Sequence, residues 1–404
     1  MSIVDGEDVH LHRTRINQTR SKFAAAALTV AFTLFYGLMP IILGNASDSR
    51  GLNEREIGFL ASIYMGGQTL GFFSGIFWIR KIRWQPLLLG SGLTFVVGFF
   101  AASWLTGYTA LAACLFASGT AAAVGYGVTI AAIGDSDEPE RWYAWAWFMQ
   151  ATVGTGLAYL MPRLGFIGQD FDASARLTAG IVLLLMPLVL VMPNRGVKSG
   201  VLRSSHEKAA SKSHIAMGVG MAVIVLVFVA ESGLWSFLDR IAVAAGHDRE
   251  FAGLVVALSF AGGAAGSSIA GFLGNQFGRI LPMTVSIFMS IGAALLFYLS
   301  KEGFSLIIAA FVYGVAWNLG APYRMALVAE ADVSGRFITL IPGMQAIGSV
   351  IGPGLAGMLV IGSSFALVYL VASIAWTAAL LLFFAAHRML ATAGHRGHDE
   401  GTVV

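Results

Sequence analysis

The chain has 404 residues, 57% of them hydrophobic and 12% charged, with a formal net charge of +3 and a mean hydropathy of +0.75. A soluble domain is about 45–50% apolar and about 25% charged, so this balance excludes a soluble enzyme, a disordered tail protein and a nucleic-acid binder. One cysteine, Cys114, allows neither an intramolecular disulfide nor a cysteine-based metal site.

A run of about 20 mostly apolar residues crosses the ~30 Å hydrocarbon core of a bilayer as a helix. Twelve such runs follow one another near 23–44, 56–78, 86–106, 109–133, 142–162, 175–193, 215–237, 251–273, 281–300, 304–328, 338–360 and 364–387. Strand-like alternation is absent, which argues against an outer-membrane barrel. The expected fold is therefore an all-α polytopic membrane protein with twelve transmembrane helices. Arg13, Arg15, Arg20 and Lys22 precede the first run, which is too long for the core of a cleaved signal peptide and reads as an uncleaved span. With the N-tail inside, seventeen Lys/Arg fall in cytoplasmic segments against seven in the opposite loops. Both termini are expected in the cytoplasm of a bacterial inner membrane, and the pI of 9.0 needs no nucleic-acid partner.

The polar stretch 194–214 carries five Lys/Arg and reads as a cytoplasmic linker. It separates an N-terminal six-helix bundle, 23–193, from a C-terminal one, 215–387, with cytoplasmic tails at 1–22 and 388–404. The halves echo each other. The second span ends Gly75-Ile-Phe-Trp-Ile-Arg80-Lys-Ile-Arg83 and the eighth ends Gly271-Phe-Leu-Gly-Asn-Gln-Phe-Gly278-Arg279. Acid-rich segments end at Arg141 after the fourth span and at Arg336 after the tenth, and Gln150 and Gln345 stand nine residues beyond.

At these residues the chain resembles the major facilitator superfamily, whose loop signature is Gly-x-Leu-x-Asp-Arg-x-Gly-Arg-Arg between spans two and three, echoed between eight and nine. The second copy keeps Gly271, Leu273, Gly278 and Arg279 but has Asn275 and Gln276 for the usual Asp and Arg. The first keeps Gly75, Arg80 and Arg83 but has Ile79 and Ile82 for the Asp and a Gly. The resemblance implies two pseudo-symmetric six-helix bundles, a substrate site near the bilayer midplane between them, and secondary transport by rocking.

Ionisable groups within spans are costly, about 2.5–3.5 kcal/mol on insertion scales, and so are candidates for function. Glu231 lies in the seventh span. A carboxyl in a low dielectric can load and release protons near neutral pH; the alternative is pairing with Arg240 or solvation at the helix end. Arg324 in the tenth span could hold an anionic substrate, or snorkel to the cytoplasmic surface or pair with Glu330. Asp239, just after the seventh span, is a second proton-coupling candidate at the outer mouth. Gln68, Gln150, Asn318 and Gln345 could bond a substrate or bond across helices. Tyr36, Tyr126, Trp235 and Tyr323 fall on spans that line the cavity in the resembled family, although packing or an interfacial belt is the commoner aromatic role; Trp142, Trp145 and Trp147 read as belt.

Arg80 and Arg83 opposite Asp135, Asp137, Glu138 and Glu140, with Arg141 nearby, suggest a cytoplasmic gate. Arg279 opposite Glu330 and Asp332, followed by Arg336, repeats it. Gly67/Gly71/Gly75, Gly262/Gly266 and Gly348/Gly352 have GxxxG spacing and suggest a sliding interface. Asn45-Ala-Ser47 is a formal glycosylation sequon. No Walker pattern, HExxH or metal-spaced Cys/His cluster occurs, so no cofactor, metal or ATP-driven step is expected. The leading expectation is a proton-coupled secondary transporter for a small organic or aromatic acid, a monomer in the lipid bilayer. An exporter of amphipathic drugs or lipids is the second reading, a non-transporting sensor or scaffold the third.

Overall fold

The computed structural model describes residues 16–165, 169–196, 211–331 and 341–399. The chain divides into two compact units, Met1–Val201 and Leu202–Val404. In the first, α1 (Thr19–Arg50), α2 (Glu54–Trp78), α3 (Trp84–Trp104), α4 (Tyr108–Gly134) and α5 (Pro139–Leu160) precede α6 (Phe171–Leu185), which tightens into a 3₁₀ turn over Met186–Val191. In the second, α7 (Ser211–Ser236) breaks at Phe237 into the short α8 (Leu238–Ala244). There follow α9 (Arg249–Leu273), α10 (Ile280–Leu299), α11 (Gly303–Ala331), α12 (Ile341–Leu359) and α13 (Ala366–Asp399).

Local chemistry sets the helix ends. Asn53 and Glu56 form a reciprocal capping box at the start of α2, and Asp170 and Asp248 accept the Ala173 and Phe251 amides at the starts of α6 and α9. Gly51, at φ 66°, stops α1 in a backbone conformation that suits glycine. Pro187 lacks the amide that α6 would need to continue and stands where it turns 3₁₀.

Each expected span coincides with a helix, apart from the part of 338–360 that lies outside the described residues. Nine helices among the described residues are long and apolar enough to cross a membrane. The other three, α2, α5 and α12, are those carrying Gln68, Gln150 and Gln345, and their glycines, tryptophans and tyrosines lower the mean hydropathy. Large apolar side chains stand exposed on the helices, among them Phe77, Leu184, Phe272 and Phe304. Water would penalise such a surface, whereas lipid solvates it.

The glycine motifs mark close helix contacts within each unit. They lie inside the units, where backbones meet. A Cβ on Gly67 would overlap the Phe116 carbonyl across α2 and α4, one on Gly262 the Phe311 carbonyl across α9 and α11. Gly348 and Gly352 approach α7 in the same way, at the Val225 and Val229 carbonyls. Gly75 alone meets only Trp78 of its own helix, at 3.8 Å. The pairing of second with fourth helix in the first unit thus recurs as the pairing of α9 with α11 in the second, and α1 with α5 recurs as α7 with α12.

Candidate functional site

Two helices of the second unit carry opposite charges to one place. Glu231 of α7 and Arg324 of α11 are 1% and 2% exposed, and the Arg324 Nη1 donates to Glu231 Oε1 at 3.2 Å. Neither alternative read from the sequence holds. Arg240 sits on α8, and Glu330 is taken by Arg279. Arg324 stands seven residues short of Ala331, where the described part of α11 ends, so it is an interior residue of its helix and does not snorkel.

Neighbours fix both groups. The Tyr313 hydroxyl donates to the Glu231 backbone carbonyl at 2.6 Å, and Arg324 Nη2 donates to the Trp317 carbonyl at 3.4 Å. Gly320 leaves room for the guanidinium: a Cβ there would stand 3.1 Å from Nη1 and overlap the Ser286 hydroxyl. Phe228 lies 6.0 Å from the guanidinium carbon. Its ring meets Trp317 edge-on at 6.1 Å, and Trp317 in turn meets Trp235 at 6.2 Å and Tyr313 at 5.9 Å. Phe260 extends the chain of rings from Trp235 at 5.2 Å. Among the described residues no donor reaches Glu231 Oε2, although the atom is buried. Only one oxygen of the carboxyl is therefore satisfied, an arrangement open to a proton or a further ligand group.

Of the other sequence candidates, Trp235 joins this cluster. Asn318 bridges helices, donating to the Gly314 carbonyl at 3.3 Å and accepting from Ser267 of α9 at 3.4 Å. Tyr323 likewise donates to the Gly274 carbonyl, 3.0 Å away at the end of α9. Gln68 is 3.5 Å from the Tyr64 hydroxyl on its own helix. Tyr36 and Tyr126 are half-buried in the first unit, Tyr126 edge-on to Phe72 at 5.8 Å; Gln150 and Gln345 are half-buried on α5 and α12. Asp239 does not open onto a mouth. It is 1% exposed and ion-paired with Arg249, tying α8 to α9. The sequon fails too, since Asn45 is 1% exposed and donates to Ser174 at 2.8 Å. Phe228, Phe260, Tyr313 and Trp317 were missed in the sequence; the one available signal was Tyr313 and Trp317 standing four apart on the helix that carries Arg324.

Counted from the repeated Gln150 and Gln345, the first-unit position matching Glu231 is Tyr36, which is uncharged, and the one matching Arg324 is Thr129. Its hydroxyl is hydrogen-bonded to that of Thr29 of α1 at 3.0 Å, and both residues are fully buried.

Of the gate, Arg80 reaches Asp135 at 2.5 Å, with the aspartate side chain 1% exposed, and Arg279 reaches Glu330 and, at 3.3 Å, the Ala326 carbonyl. Arg83 instead caps α3 from the surface, with no ion pair among the described residues, and Arg141 pairs with Glu138 at 3.2 Å. Asp137 takes a different cation, Lys22, at 2.5 Å, with Glu138 at 3.6 Å. That hydrogen bond holds the Asp137 carboxyl below the ordinary carboxylate range. Asp332 and Arg336 lie outside the described residues.

The tandem helical repeat, its lipid-suited surface and a buried charge pair within spanning helices define an integral multi-pass membrane protein. Its fold is that of the major facilitator superfamily. No family model matches the chain. It is 22% identical over 362 residues to YcaD of Salmonella arizonae, an uncharacterised MFS-type transporter, covering 88% of this chain and 92% of that one. It is 26% identical to YdeG of Bacillus subtilis, named likewise, over 218 residues that span only half of each protein. Among solved structures it is similar to the nucleoside transporter NupG (TM-score 0.71, 15% identity, 91% and 98% of the two chains). A D-xylose–proton symporter is comparably close (0.70, 14%, 91% and 97%). These relatives and neighbours are transporters rather than enzymes, and the major facilitator resemblance read from the loop motifs stands.

Proposed function

We propose that this chain is a secondary active transporter of the major facilitator type that carries a small organic acid together with a proton by alternating access. The observation that carries the reading is the Glu231–Arg324 pair, buried within α7 and α11. A guanidinium keeps its charge at any physiological pH, so it needs an anion beside it in a low dielectric. Glu231 is that anion at rest. A proton on Glu231 frees Arg324 for the carboxylate of a substrate, and loss of the proton returns the pair and expels the substrate. Proton and substrate are thereby coupled through one guanidinium. The paired loop residues Arg80–Asp135 and Arg279–Glu330 hold the inner ends of their own units, and the Lys/Arg bias supports cytoplasmic termini in a bacterial inner membrane.

The test is uptake of organic acids into proteoliposomes containing the purified chain. Uptake driven by an inward proton gradient, abolished by a protonophore and by Glu231→Gln, is expected. Export of lipophilic cations that survives both Glu231→Gln and Arg324→Gln would replace this reading with that of a drug exporter.

A further inference from the structure

Resting on the function just proposed, we infer that the cargo of the Arg324 site is a monocarboxylate with a planar ring, bound with one proton so that the loaded site carries no net charge. Two independent observations lead there, one a count of charges and the other the composition of the wall.

The count begins from burial. Among the described residues, Glu231–Arg324 is the one ion pair whose side chains are both under 3% exposed. The other cations in the second unit that show an ion pair are engaged elsewhere, Arg249 by Asp239 and Arg279 by Glu330. One proton on Glu231 leaves one uncompensated positive charge, and one carboxylate cancels it. A second negative charge on the same solute would need a second cation, and Arg249 and Arg279 of this unit already hold their own acids; an unpaired charge in such a setting costs several kcal/mol. The proton has a place to go, since Glu231 Oε2 receives no hydrogen bond among the described residues. The exchange balances: the Arg324–Oε1 hydrogen bond is given up, a hydrogen bond from Arg324 to the substrate carboxylate forms, and the proton rides on Glu231 until release reverses both.

The wall supplies the second half. Phe228, whose ring lies 6.0 Å from the guanidinium carbon, and Trp317, edge-on to Phe228, are neither fully buried nor fully exposed, as is Phe260. They are already arranged edge to face with one another and with Trp235. Such edges and faces favour a flat ring, which can continue the same T-shaped order, over a puckered one of equal area. Gly320 adds the clearance beside Nη1.

The experiment is isothermal titration of the detergent-solubilised full chain with benzoate, cyclohexanecarboxylate and phthalate, each from pH 6 to 9. Two buffers of different ionisation heat give the protons taken up per ligand bound. Benzoate is expected to bind at least tenfold more tightly than either competitor. Proton uptake should rise with pH toward one per benzoate, and Glu231→Gln should bind benzoate with none. Trp317→Leu, which leaves both charges in place, should shrink the advantage over cyclohexanecarboxylate to under threefold. Phthalate binding as tightly as benzoate overturns the charge count, cyclohexanecarboxylate binding as tightly overturns the ring, and absence of proton uptake in the native chain overturns the pairing of one proton with one anion. In the first two cases an organic acid still binds with its proton and the proposed function stands; in the third the acid binds but the proton coupling of the proposed function falls as well. No binding by any of the three acids removes the proposed function and this inference together.

Discussion

The Glu231–Arg324 pair makes a sharp stability prediction through a double-mutant cycle. At 3.2 Å, two unit charges attract by about 5 kcal/mol at an effective dielectric of about 20. With side chains 2% and 1% exposed, neither group can recover that energy from water if its partner is removed. Arg324→Met or Glu231→Leu alone should therefore destabilise the protein by about 3–5 kcal/mol, the range for stranding one member of a buried pair. The double variant removes both charges and should lie within about 1 kcal/mol of the native chain or above it, because the desolvation cost disappears with the attraction. The coupling energy is then at least about 5 kcal/mol, beyond what non-interacting positions show. The assay is thermal unfolding in detergent followed by size exclusion, with reversible denaturant unfolding for the free energies. Single variants as stable as the native chain, or a double variant whose loss equals the sum of the singles, would refute a buried, mutually dependent pair.

Other outcomes are as direct. Gly314→Val, whose side chain would overlap the Ser259 carbonyl, should cost about 1–3 kcal/mol or misfold, whereas Gly75→Ala should change stability by under about 0.5 kcal/mol; thermal melts of both decide this. Asp239→Asn should lower thermal stability by loosening α8 from α9 while leaving proton-driven uptake intact, and a variant with native stability but no proton dependence would restore Asp239 as a coupling group. The lowered Asp137 value gives a pH dependence with a definite sign. Its contribution is fully present above the ordinary carboxylate range, near 3.8, and fades as pH falls through the lower folded value; Lys22→Met should flatten the melting temperature in that acid window alone.

Much of the architecture was legible because it follows from one-dimensional quantities. Run length and hydropathy mark where helices cross lipid, and the recurrence of Arg80/Arg83 near Arg279, and of Gln150 as Gln345, marks the duplication before any coordinate is known. The three helices that fall short on hydropathy were still marked, since each carries an apolar run of about 20 residues broken only by scattered polar side chains. What the sequence hid is which side chains meet. Glu231 and Arg324 are 93 positions apart, and two helices of that separation can present any of several faces to each other; only the α7–α11 packing brings both charges inward. For the same reason the sequence left Asn318 between a substrate contact and a cross-helix bond, and Tyr323 between cavity wall and packing, where the structure has both tie α11 to α9; Lys22 read as a topology signal when it meets Asp137. GxxxG spacing identifies a close backbone approach but not its partner, and here the partners lie within the same unit.

The threonine pair in the first unit has a further consequence. By the spacing of the repeat, Glu231 and Arg324 correspond to Tyr36 and Thr129, neither of them charged, and the Thr129 hydroxyl meets that of Thr29. Two hydroxyls supply a hydrogen bond of about 0.5–1.5 kcal/mol and no field. The duplicated scaffold is thus electrically lopsided: one copy stores the charge, and the other is neutral at the same address. A substitution at Thr129 leaves the buried charge balance untouched, while any change to Glu231 or Arg324 strands the other. In a protein built by doubling, one copy is thus open to variation at a position where the other is held by its charge.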